Sequence, residues 1–174
     1  MKDIKIAVTG GIGSGKSAVL EIIKQSNPIL RKKSRPVENF DERLWEMLDD
    51  MAETMYAADG VGLAGVQVGI LRRIVVIDVG DGLMELINPE IIKREGEQCG
   101  VEGCLSLPGK QGYTVRPMTV KVKAQNRYGN WCVYKGTELK AKAFCHELDH
   151  LDGIIYTDVL ASKEDLARFN IGNE

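Results

Sequence analysis

The chain has 174 residues, of which 44% are hydrophobic and 28% are charged, and its formal net charge is −2. This length is enough for one domain with a hydrophobic core, and the near-neutral charge argues against general nucleic-acid binding. The sequence has no apolar run long enough to span a membrane, and four cysteines in a chain of this length do not form a disulfide scaffold. We therefore expect a cytoplasmic globular protein with neither a membrane nor DNA as a partner.

The first residues carry a phosphate-loop pattern. Gly10 to Ser17 fits G-x-x-x-x-G-K-S, in which backbone N–H groups, a lysine and a hydroxyl contact phosphates and magnesium. Taken alone, residues 1–17 resemble the start of a dephospho-coenzyme A kinase. Such a loop needs a nucleotide-binding α/β domain around it, and alternating strands and helices do not follow. We predict that residues 1–17 are a leader without a working nucleotide site.

A long amphipathic helix is predicted over residues 40–58. Its apolar positions recur at spacings of four and three: Leu44, Leu48, Met51 and Met55. Asn39 or Asp41 is the expected cap at its start. Gly60-Val61-Gly62 is expected to end it, because glycine suits the left-handed conformation that often follows a helix.

From residue 73 the pattern changes to strands. The predicted strands are residues 74–79, 83–88, 91–94, 118–126 and 131–135, and Gly80-Asp81-Gly82, Pro89 and residues 127–130 separate them. A short last helix should begin after Ser162, with Ser162 as its cap and Asp165 completing the capping box. Helices at both ends of a strand-rich middle predict an α+β fold, with antiparallel strands packed around a central metal-binding helix.

The most informative stretch is His146-Glu147-Leu148-Asp149-His150, which reads H-E-x-x-H and contains the only two histidines of the chain. On a helix, positions i and i+4 lie on one face, so both imidazoles can reach one metal ion. Glu147 then lies beside the ion without binding it, where its carboxylate can accept a proton from water. We predict that His146 and His150 are metal ligands and that Glu147 is the general base.

The third ligand of this site has to come from another part of the chain, since catalytic sites usually have three protein ligands. Cys104, in Glu102-Gly103-Cys104-Leu105-Ser106, is the best candidate. Two alternatives remain open. One is a structural zinc site that adds Cys99 to Cys104 and the two histidines. The other is an H-E-x-x-H metallopeptidase in which Glu164 or Asp165 is the third ligand.

Three stretches together resemble peptide deformylases. Residues 60–67 (GVGLAGVQ), 102–106 (EGCLS) and 146–150 (HELDH) occur in the order of that family's three motifs. The resemblance covers the chain from Ala18 to its C-terminus and implies a catalytic domain over residues 18–174. It implies an enzyme that hydrolyses the N-formyl group of formyl-methionine at the start of nascent polypeptides and releases formate.

The resemblance also implies a cofactor and partners. The cofactor would be one divalent ion, Fe2+, which Ni2+, Co2+ or Zn2+ can replace, although one cysteine and two histidines by themselves suit zinc. The partners would be the N-formylmethionyl peptide and, transiently, the translating ribosome.

Further site residues follow from the same motifs. The Gln67 side-chain amide and the Leu105 backbone N–H are expected to stabilise the oxyanion that forms during hydrolysis. Val61, Gly62 and Leu105 are expected to line the cleft for the methionine side chain. The alternative interpretation of Gln67 is a buried glutamine that is hydrogen-bonded to backbone, and the resemblance favours the oxyanion role.

Overall fold

The computed structural model describes residues 17–172, and the predicted phosphate loop lies outside them except for Ser17. The α-helices are α1 (Glu42–Ala57), α2 (Leu139–Leu151) and α3 (Lys163–Arg168). The strands are β1 (Gly62–Ala64), β2 (Ile74–Ile77), β3 (Met84–Glu95), β4 (Gln98–Cys104), β5 (Leu107–Arg116), β6 (Thr119–Gln125) and β7 (Trp131–Thr137). None of the helices within the described range is long and apolar enough to cross a membrane.

The strands form two antiparallel sheets. One has five strands in the order β1-β2-β3-β6-β7, and the other consists of β4 and β5 alone. The predicted α+β fold and its antiparallel strands are confirmed.

Strand β2 explains how the helices pack. All four of its residues are fully buried. Val75 and Ile77 belong to the core that contains α2, whereas Ile74 and Val76 belong to the core that contains α1. A strand with a helix on each face has no solvent side, so its sequence is a continuous apolar run without alternation.

Helix α1 begins as predicted and ends differently. The Asp41 carboxylate accepts a hydrogen bond from the Leu44 backbone N–H at 3.1 Å, so of the two candidate caps Asp41 is the one used. The predicted glycine stop is wrong. Asp59 takes the left-handed conformation, with φ of 55°, and Gly62 already begins β1. A short polar residue such as Asp tolerates this conformation better than other side chains do.

The prediction that Pro89 separates two strands is also wrong, because β3 is one strand that runs through it. The register shifts between Ile87 and Glu90, and Asn88 has φ of 52°. The Asn88 amide donates to the Val37 carbonyl at 2.9 Å, and its side-chain oxygen accepts from the Val37 N–H at 2.8 Å. Proline lacks a backbone donor, so it is accommodated at such an irregular position of a strand.

The C-terminal elements match their sequence signals. The Ser162 hydroxyl accepts from the Asp165 N–H at 3.0 Å, which confirms the capping box of α3. Strand β4 ends at Cys104, and Leu105 and Ser106 form the two-residue turn into β5. The end of β4 lies against the C-terminal half of α2, where Cys104 contacts His150 and Glu102 contacts His146.

Candidate metal centre and cleft

Helix α2 buries its three motif residues. His146, Glu147 and His150 are 9%, 4% and 0% exposed. The surrounding apolar residues of the helix pack on the five-stranded sheet, and Phe144 and Leu151 are fully buried there. The sheet therefore fixes the rotation of α2 about its axis and the direction of the motif side chains.

Cys104 meets the two histidines. Its sulfur lies 3.3 Å from Nε2 of His150, and one ligand atom from each of Cys104, His146 and His150 lies within 4.8 Å of the others. Thiolate and imidazole groups are common ligands of divalent transition metals, and catalytic sites usually have three such protein ligands.

The two alternative ligand sets are not assembled. Among residues 17–172, neither Cys99 nor Glu164 nor Asp165 belongs to a group that could hold a metal ion. Cys99 pairs with Val115 in the small sheet, and the Asp165 carboxylate accepts from the Ser162 backbone N–H and from Arg168 at the surface. The arrangement therefore favours the set with Cys104.

Glu102 orients the first histidine. Its Oε1 lies 2.7 Å from Nδ1 of His146, and its Oε2 accepts from Nε of Arg116 at 2.7 Å and from the Thr114 hydroxyl. Arg116 in turn donates to Asp149 at 2.8 Å. A histidine that donates from Nδ1 to a carboxylate keeps Nε2 available for a metal.

Burial and hydrogen bonds shift the pKa values of the ionisable groups around His146. Burial alone would raise the pKa of Glu102, but hydrogen bonds from His146 and Arg116 outweigh it and lower that pKa to about 2. Burial opposes the charged form of His146, yet its contacts with Cys104 and Glu102 raise the pKa of the ring to about 10. Burial is the main reason that the pKa of His150 falls to about 3. An ion that bound both rings would have to displace a proton from His146.

Glu147 is a buried carboxyl group whose Oε1 lies 3.7 Å from Nε2 of His146. Burial is the main reason that its pKa rises to about 7. Its Oε2 and the Nδ1 of His150 have no hydrogen-bond partner among residues 17–172. A carboxyl group whose pKa is close to neutrality is suited to proton transfer at physiological pH.

Gln67 points its amide into the site. Its Oε1 accepts from the Ala64 N–H at 3.0 Å, which fixes the orientation of the side chain. Its Nε2 then donates to the Ser106 hydroxyl at 3.1 Å and lies 3.5 Å from the Cys104 sulfur. The side-chain amide of Gln67 thus faces the Cys104 sulfur, and the backbone hydrogen bond of the simpler interpretation is also present.

Gly62 lies directly against Glu147. A Cβ at position 62 would lie 2.8 Å from Cγ and 3.0 Å from Cδ of Glu147, which is closer than van der Waals contact allows. Only glycine lets the backbone of β1 approach the carboxylate this closely.

A cavity of about 530 Å³ opens in front of these groups. Val61, Gly62 and Leu105 all line it together with Cys104 and Glu147. The residues that were expected to form a cleft therefore share one cavity with the metal-binding group.

Several residues of the site carried no role in the sequence interpretation. Glu102, Arg116, Thr114 and Asp149 form the network behind His146, and Ser106 accepts from Gln67. Glu102 and Ser106 lie within the second motif, two positions on either side of Cys104. The motif signals their importance, but only the contact with His146 shows what Glu102 does.

The fold and this donor set define a metallohydrolase whose central helix carries H-E-x-x-H. Residues 19–165 match the model of the polypeptide deformylase family. The peptide deformylase of Alkaliphilus metalliredigens is 60% identical over 141 residues, which cover 81% of this chain and 96% of the relative. The chain belongs to the peptide deformylase family.

Solved structures agree with this assignment. The crystal structure of peptide deformylase from Thermotoga maritima aligns with a TM-score of 0.81 and 41% identity over 83% of this chain and 99% of that one. A class I type b peptide deformylase from Acinetobacter baumannii, in a crystal structure with Met-Ala-Ser bound, aligns with a TM-score of 0.79 and 30% identity over 83% of this chain and all of that one (100%).

Proposed function

We propose that the cavity beside Cys104, His146 and His150 is the active site of a peptide deformylase that uses one divalent metal ion. As a member of this family, the chain removes the N-formyl group from nascent polypeptides. The observation that carries the site assignment is the convergence of three ligand atoms within 4.8 Å, next to a buried carboxyl group in the same cavity.

The residues fit a metal ion of this kind. Two imidazoles and one sulfur leave a further coordination position, as catalytic sites require. Glu147 lines the same cavity, and its Oε2 has no hydrogen-bond partner within the described part of the chain. A buried polar atom of this kind is costly unless water or an ion contacts it. A divalent ion held by these three side chains would supply Lewis acidity, which would lower the pKa of the attacking water towards 7.

The protein side chains then have separate roles. Glu147 accepts the proton of the attacking water and afterwards delivers it to the leaving amine, and a pKa near 7 suits both directions of transfer. The Gln67 amide and the Leu105 backbone N–H donate to the oxyanion that develops on the formyl oxygen. Glu102 acts through His146, whose ring it holds in place.

The substrate side is proposed from the cavity lining. Val61, Gly62 and Leu105 would contact the methionine side chain, since they line the cavity beside Glu147. The formyl carbon carries a hydrogen atom where other acyl groups carry a carbon chain, so a narrow site around it can exclude larger acyl groups. The Acinetobacter relative was crystallised with Met-Ala-Ser bound, which supports a methionyl peptide as the ligand of this chain.

The finer proposals concern the ion and the cellular setting. We infer Fe2+ as the native ion, with Ni2+, Co2+ or Zn2+ able to replace it, and transient contact with the translating ribosome in the cytoplasm. These follow from family membership, because a cysteine and two histidines would also bind zinc.

One experiment tests the proposal. Protein purified without oxygen is analysed for metal and then assayed for formate release from formyl-Met-Ala-Ser, with acetyl-Met-Ala-Ser as the matched control. We expect about one metal ion per chain, formate from the first peptide and no acetate from the second. Full metal occupancy without formate release would overturn the proposed function.

A further inference from the structure

The wall of the cavity carries an ammonium group among apolar residues. On α2, the residues that line the cavity are Leu139, Lys142, Ala143 and His146. Lys142 lies four positions before His146, so the two residues are one helical turn apart on the same face of α2, with about 5–6 Å between their Cβ atoms.

A local contact holds Lys142 in this position. Its Nζ donates to the Val101 carbonyl oxygen at 3.3 Å. A Cβ at position 100 would lie only 2.7 Å from that Nζ, so the lysine occupies space that is open because residue 100 is glycine. Val101 also lines the cavity, so the half-buried Lys142 holds its ammonium at the edge of the cavity.

The remaining charges give the cavity a positive side. Glu102 is neutralised by Arg116 and His146, and Glu147 is buried behind Gly62. Among residues 17–172, Lys110, which is exposed on β5, and Lys142 are the two lysines of the lining, and the exposed Asp59 is the remaining anion.

We propose that Lys142, together with Lys110, makes the enzyme prefer formyl-methionyl peptides with an acidic side chain at the second or third residue. This rests on the proposed function and assigns a substrate class to the same cavity. An extended peptide advances about 3.3 Å per residue, so the side chains after methionine lie within the reach of a group one helical turn from the reacting centre. Complementary charge in a cleft raises the association rate and the discrimination between substrates.

The test compares amidated peptides, so that no terminal carboxylate adds its own charge. The substrates are formyl-Met-X-Ala-amide and formyl-Met-Ala-X-amide with Asp, Asn or Lys at X. We expect kcat/KM for Asp to exceed that for Lys at least threefold at one of the two positions, mainly through KM, and 0.5 M NaCl to reduce the ratio because salt screens exposed charges.

Variants locate the effect. The double change Lys110→Gln and Lys142→Gln should bring the Asp to Lys ratio close to 1, while Lys142→Arg should keep it. Lys140→Gln is the matched control, because Lys140 lies on the same helix, pairs with Asp81 and is outside the cavity. Its ratio should equal that of the wild type.

The two proposals fail in different ways. If the Asn peptides are not deformylated, the proposed function itself fails. If the Asn peptides are processed but the wild type shows no preference for Asp over Lys, or if the double variant keeps the preference, the assignment of Lys142 and Lys110 is wrong.

Discussion

Oε1 of Glu102 lies 2.7 Å from Nδ1 of His146, and this contact joins the small sheet to the helix that carries both histidines. The partners are 44 residues apart in sequence. The carboxylate is kept charged by Arg116, which has its own second contact with Asp149 on α2. Glu102 therefore orients the ring that we propose as a metal ligand, and its contacts with Arg116 link the small sheet to α2.

The Glu102 carboxylate should make the metal-free protein sensitive to acid. Its pKa is lowered from 4.5 to about 2 in the folded state, so its stabilisation is fully present above pH 4.5 and is lost as the pH falls towards 2. In urea unfolding between pH 7 and pH 2, Glu102→Gln should remove up to about 3 kcal/mol of the pH-dependent loss. The exposed Glu90→Gln is the control and should follow the wild type, and an unchanged pH dependence in Glu102→Gln would contradict the assignment.

Replacing Glu147 should separate catalysis from metal binding. We expect Glu147→Gln to keep its metal and to lose roughly 10²–10⁴-fold in kcat, because a proton carrier is removed and no ligand is lost. Metal content and formate release are measured on the same sample. Loss of the ion from this variant would make Glu147 a ligand, and loss of the ion from Cys99→Ser would revive the structural zinc alternative.

A methyl group at position 62 should displace the general base. In Gly62→Ala the new Cβ would lie 2.8 Å from Cγ of Glu147, so the carboxylate has to move. Displacements of about 1 Å in an active site can cost on the order of 10²-fold in rate. We expect kcat to fall by this order while metal content stays at the wild-type level, and an unchanged kcat would show that Gly62 does not position Glu147.

The identity of the ion should determine stability in air. The iron-loaded enzyme should lose activity on exposure to air, whereas nickel- and cobalt-loaded samples should keep it. A ferrous ion beside the half-buried Cys104 exposes both the metal and the sulfur to oxidation. Residual kcat/KM after timed exposure is the measurement, and equal decay of the iron and nickel forms would argue against an iron–thiolate centre.

Deletion of residues 1–17 should leave deformylation within about threefold of the wild type. The chain from Ala18 onward makes its own contacts, since the Ala18 N–H donates to Asp50 at 2.7 Å and the Ile23 N–H to the Gln67 carbonyl at 2.7 Å. Calorimetry with ATP and magnesium tests the phosphate-loop pattern. Binding tighter than about 10 μM, abolished by Lys16→Ala, would show that the leader has a nucleotide site.

The features that could be predicted from sequence are those with local causes. The helical spacing of His146 and His150 depends only on helix geometry, and the cap at Ser162 depends only on the next three residues. Cys104 was predicted because a third ligand was needed and because its motif resembles that of the family. Its neighbours in sequence do not indicate that it contacts α2.

The features that were missed depend on contacts between distant segments. The continuity of β3 through Pro89 rests on Asn88 and its bonds to Val37, which lies 51 residues away. The role of Glu102 rests on His146, and the placement of Lys142 rests on the empty space at Gly100. Periodicity within one segment contains no information about such partners.

The separate hydrogen bonding of β4 and β5 has a thermodynamic consequence. Cys104 and Glu102 both lie on this two-stranded sheet, so a fluctuation that lifts it from α2 withdraws a metal ligand and the support of His146 together. By linkage, an ion that binds only the closed form makes this opening rarer as its concentration rises. Amide hydrogen exchange in residues 98–116 should therefore slow with metal concentration, while local fraying of α1 should not. The small sheet would then report the occupancy of the metal centre through its own dynamics.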